Sequence, residues 1–145
     1  MAIIVLAWFV ISNFEDTANK LIVDKEINRV KFLTQDYINK NSPQCSQVFS
    51  STWYGFYYLR TRITDLPGSV DNLKSTIRTR CNCPPKYVVS EGPLSSNISS
   101  VLTLEKEFSG VAIQYKYLET GKTDVNPIAA VQVYRINDSF IKTIC

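Results

Sequence analysis

The stretch that decides the fold runs from Ala2 to Lys40, AIIVLAWFVISNFEDTANKLIVDKEINRVKFLTQDYINK. Ala2 to Ile11 carries no charge and no Gly or Pro, and the chain turns polar at Ser12-Asn13. No breaker follows until Ser42-Pro43, where Pro disfavours helical geometry in the residue before it. One unbroken helix is therefore expected, apolar at its head and amphipathic along its stalk. On the stalk, Val23, Ile27, Val30, Leu33 and Tyr37 follow a helical period, with Lys25, Arg29, Gln35 and Asp36 largely off that face. Such a stripe needs cover from the globular part or from a neighbouring subunit.

The head is shorter than the roughly 20 apolar residues of a membrane span. A cleaved signal would carry Lys or Arg before the run and a small-x-small site after it. Here Met1 alone precedes the run and Ser12-Asn13-Phe14-Glu15-Asp16 follows. Two readings remain: an anchor or assembly element built on Ile3, Ile4, Leu6, Trp8, Phe9 and Ile11, or an ordinary helix packed inside its own domain. The first divides the chain into an N-terminal anchor or assembly helix, 1–41, and a globular extracytoplasmic domain, 42–145.

With 145 residues, 45% hydrophobic and 20% charged, the chain can build one domain with its own core. A net charge of +3 implies no polyanion, so no nucleic-acid partner is expected. The complete lack of His removes the commonest general base, metal ligand and physiological pH switch. Without it, a Ser or Cys nucleophile needs Lys or an amine as base, and no motif places these together. The carboxylates Asp65, Asp71, Glu105, Glu107, Glu119 and Asp124 are scattered and read as solvated surface. A Gly-rich phosphate loop is also missing from the sequence. The expectation is a protein that is not an enzyme and has no cofactor and no bound metal.

The four cysteines are Cys45, Cys81, Cys83 and Cys145. An even count behind a membrane-targeting head reads as disulfides made in an oxidising compartment. Bonding Cys81 to Cys83 across one residue would strain the bridge. Cys45 and Cys145 are therefore each expected to pair with one member of Cys81-Asn82-Cys83, in either order. The single-residue spacing is too tight for the usual paired ligands of structural zinc.

Ser46 to Ile63 is dense in aromatics (Phe49, Trp53, Tyr54, Phe56, Tyr57, Tyr58) and reads as a second helix or a packed connection. Beside Arg60, Arg62, Arg78 and Arg80 it fits either a stacking platform or core filling edged by snorkelling arginines. Ser69 is a good N-cap for a short helix with Val70, Leu73 and Ile77 on one face. Lys86–Ser90, Val101–Phe108, Val111–Glu119, Ile128–Ile136 and Phe140–Cys145 read as strands, rich in Val, Ile and Tyr. Turns at Ser109-Gly110 and Asn137-Asp138-Ser139 suggest antiparallel hairpins. The expected class is α+β: a long N-terminal helix packed on a four- to five-stranded antiparallel sheet. Two polar segments, Glu91–Ser100 and Thr120–Pro127, read as loops, either partner-binding (Ser95, Asn97, Lys122, Asp124) or plain solvated connections. Asn97-Ile98-Ser99 and Asn137-Asp138-Ser139 match the N-glycosylation tripeptide.

In layout the chain resembles the type IV pilins, minor pilins and pseudopilins. The corresponding parts are Ala2–Ile11, Phe14–Lys40, Ser46–Pro85, Val101–Ile144 and a bridge from Cys145. The resemblance implies a structural subunit of a pilus-like filament or secretion pseudopilus that assembles through its N-terminal helix. Its implied partners are copies of itself or related subunits, the membrane before assembly, and a surface receptor in adhesion. Its implied location is the inner membrane and periplasm, then the cell surface. Val5 and its neighbours are all apolar where the family usually carries an early Glu, so no site residue is carried over. The order of elements also resembles membrane-anchored NTF2-like periplasmic components of secretion machines, and an extracytoplasmic ligand-binding or sensory module is the third option.

Overall fold

The computed structural model describes residues 2–51, 63–92, 94, 96–110, 113–116, 123–126 and 130–145. Helix α1 spans Ala2–Asn41. At 1.5 Å per residue it is about 60 Å long. It ends where the sequence places the break: the Ser42 amide donates to the Ile38 carbonyl at 2.8 Å, and the Asn41 side chain donates to the Tyr37 carbonyl at 2.7 Å. The other elements are β1 (Val48–Ser50), β2 (Ile63–Asp65), α2 (Val70–Arg78), β3 (Tyr87–Ser90), α3 (Ser96–Ser99), β4 (Leu102–Phe108), β5 (Ile113–Lys116), β6 (Thr123–Asn126), β7 (Val131–Ile136) and α4 (Asp138–Lys142).

Five strands form one sheet in the order β2-β1-β3-β7-β4, and β5 pairs with β6 apart from it. The sheet is mixed. β1 runs parallel to both β2 and β3, while β7 is antiparallel to β3 and to β4. The expected antiparallel sheet is corrected on this point: β1 comes from the segment read as helix or connection, and β2 begins at that segment's last residue, Ile63. A three-residue strand such as Val48–Ser50 is too short to show a period. Trp53, Tyr54, Phe56, Tyr57 and Tyr58, with Arg60 and Arg62, lie outside the described residues.

Around the central strands, both faces of this sheet are apolar and covered. Val48, Tyr87, Val89, Val131 and Val133 meet Val30 and Ile38 of α1 on one face. Phe49, Val88 and Ile136 meet Leu73 and Ile77 of α2, Ile98 of α3 and the apolar side of α4 on the other. Successive residues of a strand point to opposite faces. The continuous run Tyr87-Val88-Val89 thus feeds both cores at once, as a strand buried on both sides requires.

Other expectations also change. β4 pairs with β7 and β5 with β6, so the chain does not fold back at Ser109-Gly110 as a β4–β5 hairpin. Thr120–Pro127 contains β6, and Glu91–Ser100 contains the single turn α3. Phe140–Cys145 is not a strand. Asn137 has its carbonyl accepting from the Ile141 amide at 3.1 Å, and α4 follows. Phe140, Ile141 and Ile144 at helical spacing then reach the same core, a pattern that a six-residue apolar run cannot separate from a strand's.

On α1, Val30 is buried and Val23, Ile27 and Tyr37 are half-buried, but Leu33 is 39% exposed and Gln35 is buried. Thr34 and Ile38 take the inner position. Thr34 can do so because its hydroxyl donates back to the Val30 carbonyl at 2.9 Å. Ser69 caps α2 as expected, its side chain accepting from the Asn72 amide at 3.2 Å.

Truncating a fully buried side chain should discriminate core from surface. Leu73→Ala should cost about 2–5 kcal/mol in urea unfolding. Phe32→Ser, on a side chain 65% exposed, should change stability by less than about 0.5 kcal/mol. Equal effects would show that α2 does not close this core.

Candidate functional site

Two features organise the end of the molecule where α1 stops: a disulfide clasp and a phenol–carboxylate latch. The clasp forms around Cys81-Asn82-Cys83. After α2, the Arg80 amide bonds the Ile77 carbonyl at 2.8 Å and the Cys83 amide bonds the Arg80 carbonyl at 2.9 Å. These successive turns send neighbouring cysteines in different directions. Cys83 bonds Cys45, just beyond α1, with Cα atoms 5.9 Å apart; Cys81 bonds Cys145, at the chain end, with Cα atoms 5.3 Å apart. Of the two orders left open by the sequence, this is the one adopted. The bridges span 38 and 64 residues and tie α1, α2, β3 and α4 to one short segment. The pairing fits an oxidising, extracytoplasmic environment.

The latch joins α1 to the sheet edge. β4 carries an irregularity between Leu104 and Lys106, so Glu105 faces no partner residue on β7. A bulge of this kind re-aims one side chain. Here Glu105 accepts from the Tyr37 hydroxyl at 2.6 Å and from the Tyr87 hydroxyl at 3.3 Å. The rings of Tyr37 and Tyr87 meet edge to face at 6.4 Å, and Tyr37 meets Phe108 at 5.8 Å. The hydrogen bond to Glu105, then burial, then the carboxylate's charge push the Tyr37 phenol up to about 12. Burial first, then Glu105, raises Tyr87 as well.

Glu105 is exposed, as read from the sequence, but it also holds two phenols, and no pattern in LTLEKEF announces the bulge. Glu107 also has partners, accepting from Gln132 at 2.8 Å and Ser109 at 3.2 Å. Asp71 is 4.0 Å from Lys74 and almost fully exposed. Arg78 is exposed and Arg80 half-buried.

Ile3, Ile4, Leu6, Trp8, Phe9 and Ile11 all lie on α1, and their side chains are outside the described residues. Ser95 and Lys122 lie outside them too. Asn97 is exposed on α3. Asp124 is on β6, opposite Tyr115. The suggested partner-binding residues therefore form no single described cluster. Asn137, of the second glycosylation tripeptide, accepts from Thr103 at 2.7 Å.

Among the described residues, no group of His, Cys, Asp and Glu could hold a metal ion, and no helix is long and apolar enough to cross a membrane. Searches of protein-family models, of curated proteins and of solved structures found no match to this chain. The architecture, an N-terminal helix packed on a five-stranded sheet, is compatible with a pilin-like fold.

Removing the outer bridge with Cys81→Ser and Cys145→Ser should cost about 2–4 kcal/mol. Unreduced peptide mapping should find Cys45 with Cys83 and Cys81 with Cys145. The latch has its own pH signature. The Tyr37 phenol is raised above the ordinary value of about 10, so its contribution to stability is full below about pH 10 and is lost as pH rises through about 12. A phenolate absorbance titration of Tyr37→Phe against the parent should lose one group ionising near 12. Loss of a group ionising near 10 instead would dismiss the latch.

Proposed function

We propose that this protein is a structural, non-catalytic subunit of a pilus-like surface filament or secretion pseudopilus, assembling through its hydrophobic N-terminal helix. One observation carries the reading. Among the described residues of α1, the fully buried apolar ones are Val30 and Ile38, whereas Phe14 and Leu21 are 74% and 65% exposed. The uncharged run Ala2–Ile11 continues the same helix. Exposed apolar side chains along one helix call for a neighbour.

In this reading the partners are copies of the chain or related subunits. The head engages the membrane of the inner envelope before assembly, and the finished filament stands at the cell surface. The clasp supports the same reading, since two cross-links suit a domain that must persist outside the cell. Recognition of a surface receptor falls to exposed positions such as Asn97 at the α3 turn.

Burying Ile3, Ile4, Leu6, Trp8, Phe9 and Ile11 would contribute about 1.5–3 kcal/mol for each large side chain. Deleting residues 1–13 should give a monomer by size-exclusion chromatography, with unchanged urea unfolding and no filaments by electron microscopy. An unfolded truncated chain would make the head ordinary core and end the assembly reading. Filaments that survive the deletion would end it equally.

A further inference from the structure

We propose that the crease framed by the disulfide clasp is a docking site for an acidic, extended peptide segment of a partner protein. This inference stands apart from the filament reading and does not rest on it. The crease encloses about 480 Å³ between the end of α1, the Cys81–Cys83 turn, the start of β3 and α4. Pro43, Pro84 and Ile141 give it apolar walls, and Lys86 and Lys142 are the two cationic residues of its lining.

The electrostatic balance of the crease is positive. Among its described lining residues the one carboxylate, Asp138, already accepts from the Arg135 guanidinium at 3.0 Å. Lys86 lies 6.0 Å over the Tyr87 ring, and neither Lys86 nor Lys142 has a carboxylate partner among the described residues. Two unanswered cations beside an apolar floor match a segment that alternates carboxylates with an apolar side chain.

The form of the crease selects a peptide over an enclosed small molecule. Its mouth is open to solvent, whereas small-molecule sites bury most of their ligand. Proline walls carry no N–H, so the segment meets apolar surface there and finds its charged partners at the lysines. The walls are also held in place. Cys45–Cys83 forms one side, and Cys81–Cys145 fastens α4, which supplies Ile141 and Lys142. A preorganised site loses less conformational entropy on binding.

The test uses the full chain with both disulfides formed, ¹⁵N-labelled and held in neutral detergent. An acetylated, amidated pentapeptide of two aspartates, a central leucine and two glutamates is titrated in. The amides of Asn82, Lys86, Ile141 and Lys142 should shift saturably, and binding should weaken with salt. The double variant Lys86→Gln, Lys142→Gln should keep a dispersed spectrum and bind on the order of tenfold more weakly, having lost two charge-assisted contacts. Lys74→Gln, on α2, should bind as the parent does. The Asn/Gln version of the peptide should bind more weakly too. Equal binding by that uncharged peptide or by the double variant would overturn the proposal, as would the absence of saturable shifts. If inorganic phosphate or phosphatidylglycerol vesicles move the same amides as strongly, the crease is a general anion or lipid surface and the peptide proposal is wrong.

Discussion

The constraint on which the rest of this structure depends is a central strand that is apolar on both sides. Tyr87, Val88 and Val89 are all buried, and their side chains alternate between two cores. A sheet built around such a strand cannot leave either face to water. α1 must therefore lie over one face, and α2, α3 and α4 over the other. The parallel β1–β3 pairing follows from the same demand. Val48 and Phe49 pair with Tyr87 and Val88 and continue the two apolar faces outward from the centre.

The clasp and the latch secure what this layering leaves weakly held. α4 is five residues long with no fully buried side chain, too short to be stable alone. Its partial burial through Phe140 and Ile141, and of Ile144 just beyond it, is backed by the bond from Cys145 to Cys81. At the opposite edge β4 is mostly exposed, with charges at Glu105, Lys106 and Glu107. Charges and a bulge are common protections for an edge strand. Here the bulge does a second job, because the residue it displaces reaches Tyr37 and Tyr87 and fastens the helix to the sheet.

What was legible in the sequence was whatever has a local cause. The end of α1 at Ser42-Pro43, the Ser69 cap, the face of Leu73 and Ile77, and strands at β3, β4 and β7 each follow from a period or a capping chemistry that a few residues carry. What was not legible depends on distant partners. β1 and β2 are three residues each and are strands because β3 lies beside β1. The pairing of β4 with β7 crosses the β5–β6 insertion, and no turn residue encodes it. Leu33 fits the helical stripe, yet Thr34 is the buried neighbour, since a hydroxyl that bonds its own helix behaves as a small apolar group. For the candidate site, the cysteines showed which segments must meet, but only the fold chose between two pairings. Glu105 was invisible for a similar reason: its role depends on a one-residue irregularity in β4.

The uneven burial along α1 has a physical consequence of its own. Its inner face is secured from Val30 to Ile38 by the sheet. The preceding turns expose Phe14, Leu21 and Ile22. Helix propensity contributes little there, because Ile3, Ile4, Val5, Val10 and Ile11 are β-branched and lose side-chain freedom in a helix. Intrahelical pairs such as Arg29–Glu26 add only a few tenths of a kcal/mol each. Most helical stability in proteins comes from packing an apolar face rather than from propensity. Phe14, Leu21 and Ile22 supply no such packing within this domain, so α1 is held to the sheet by its C-terminal half.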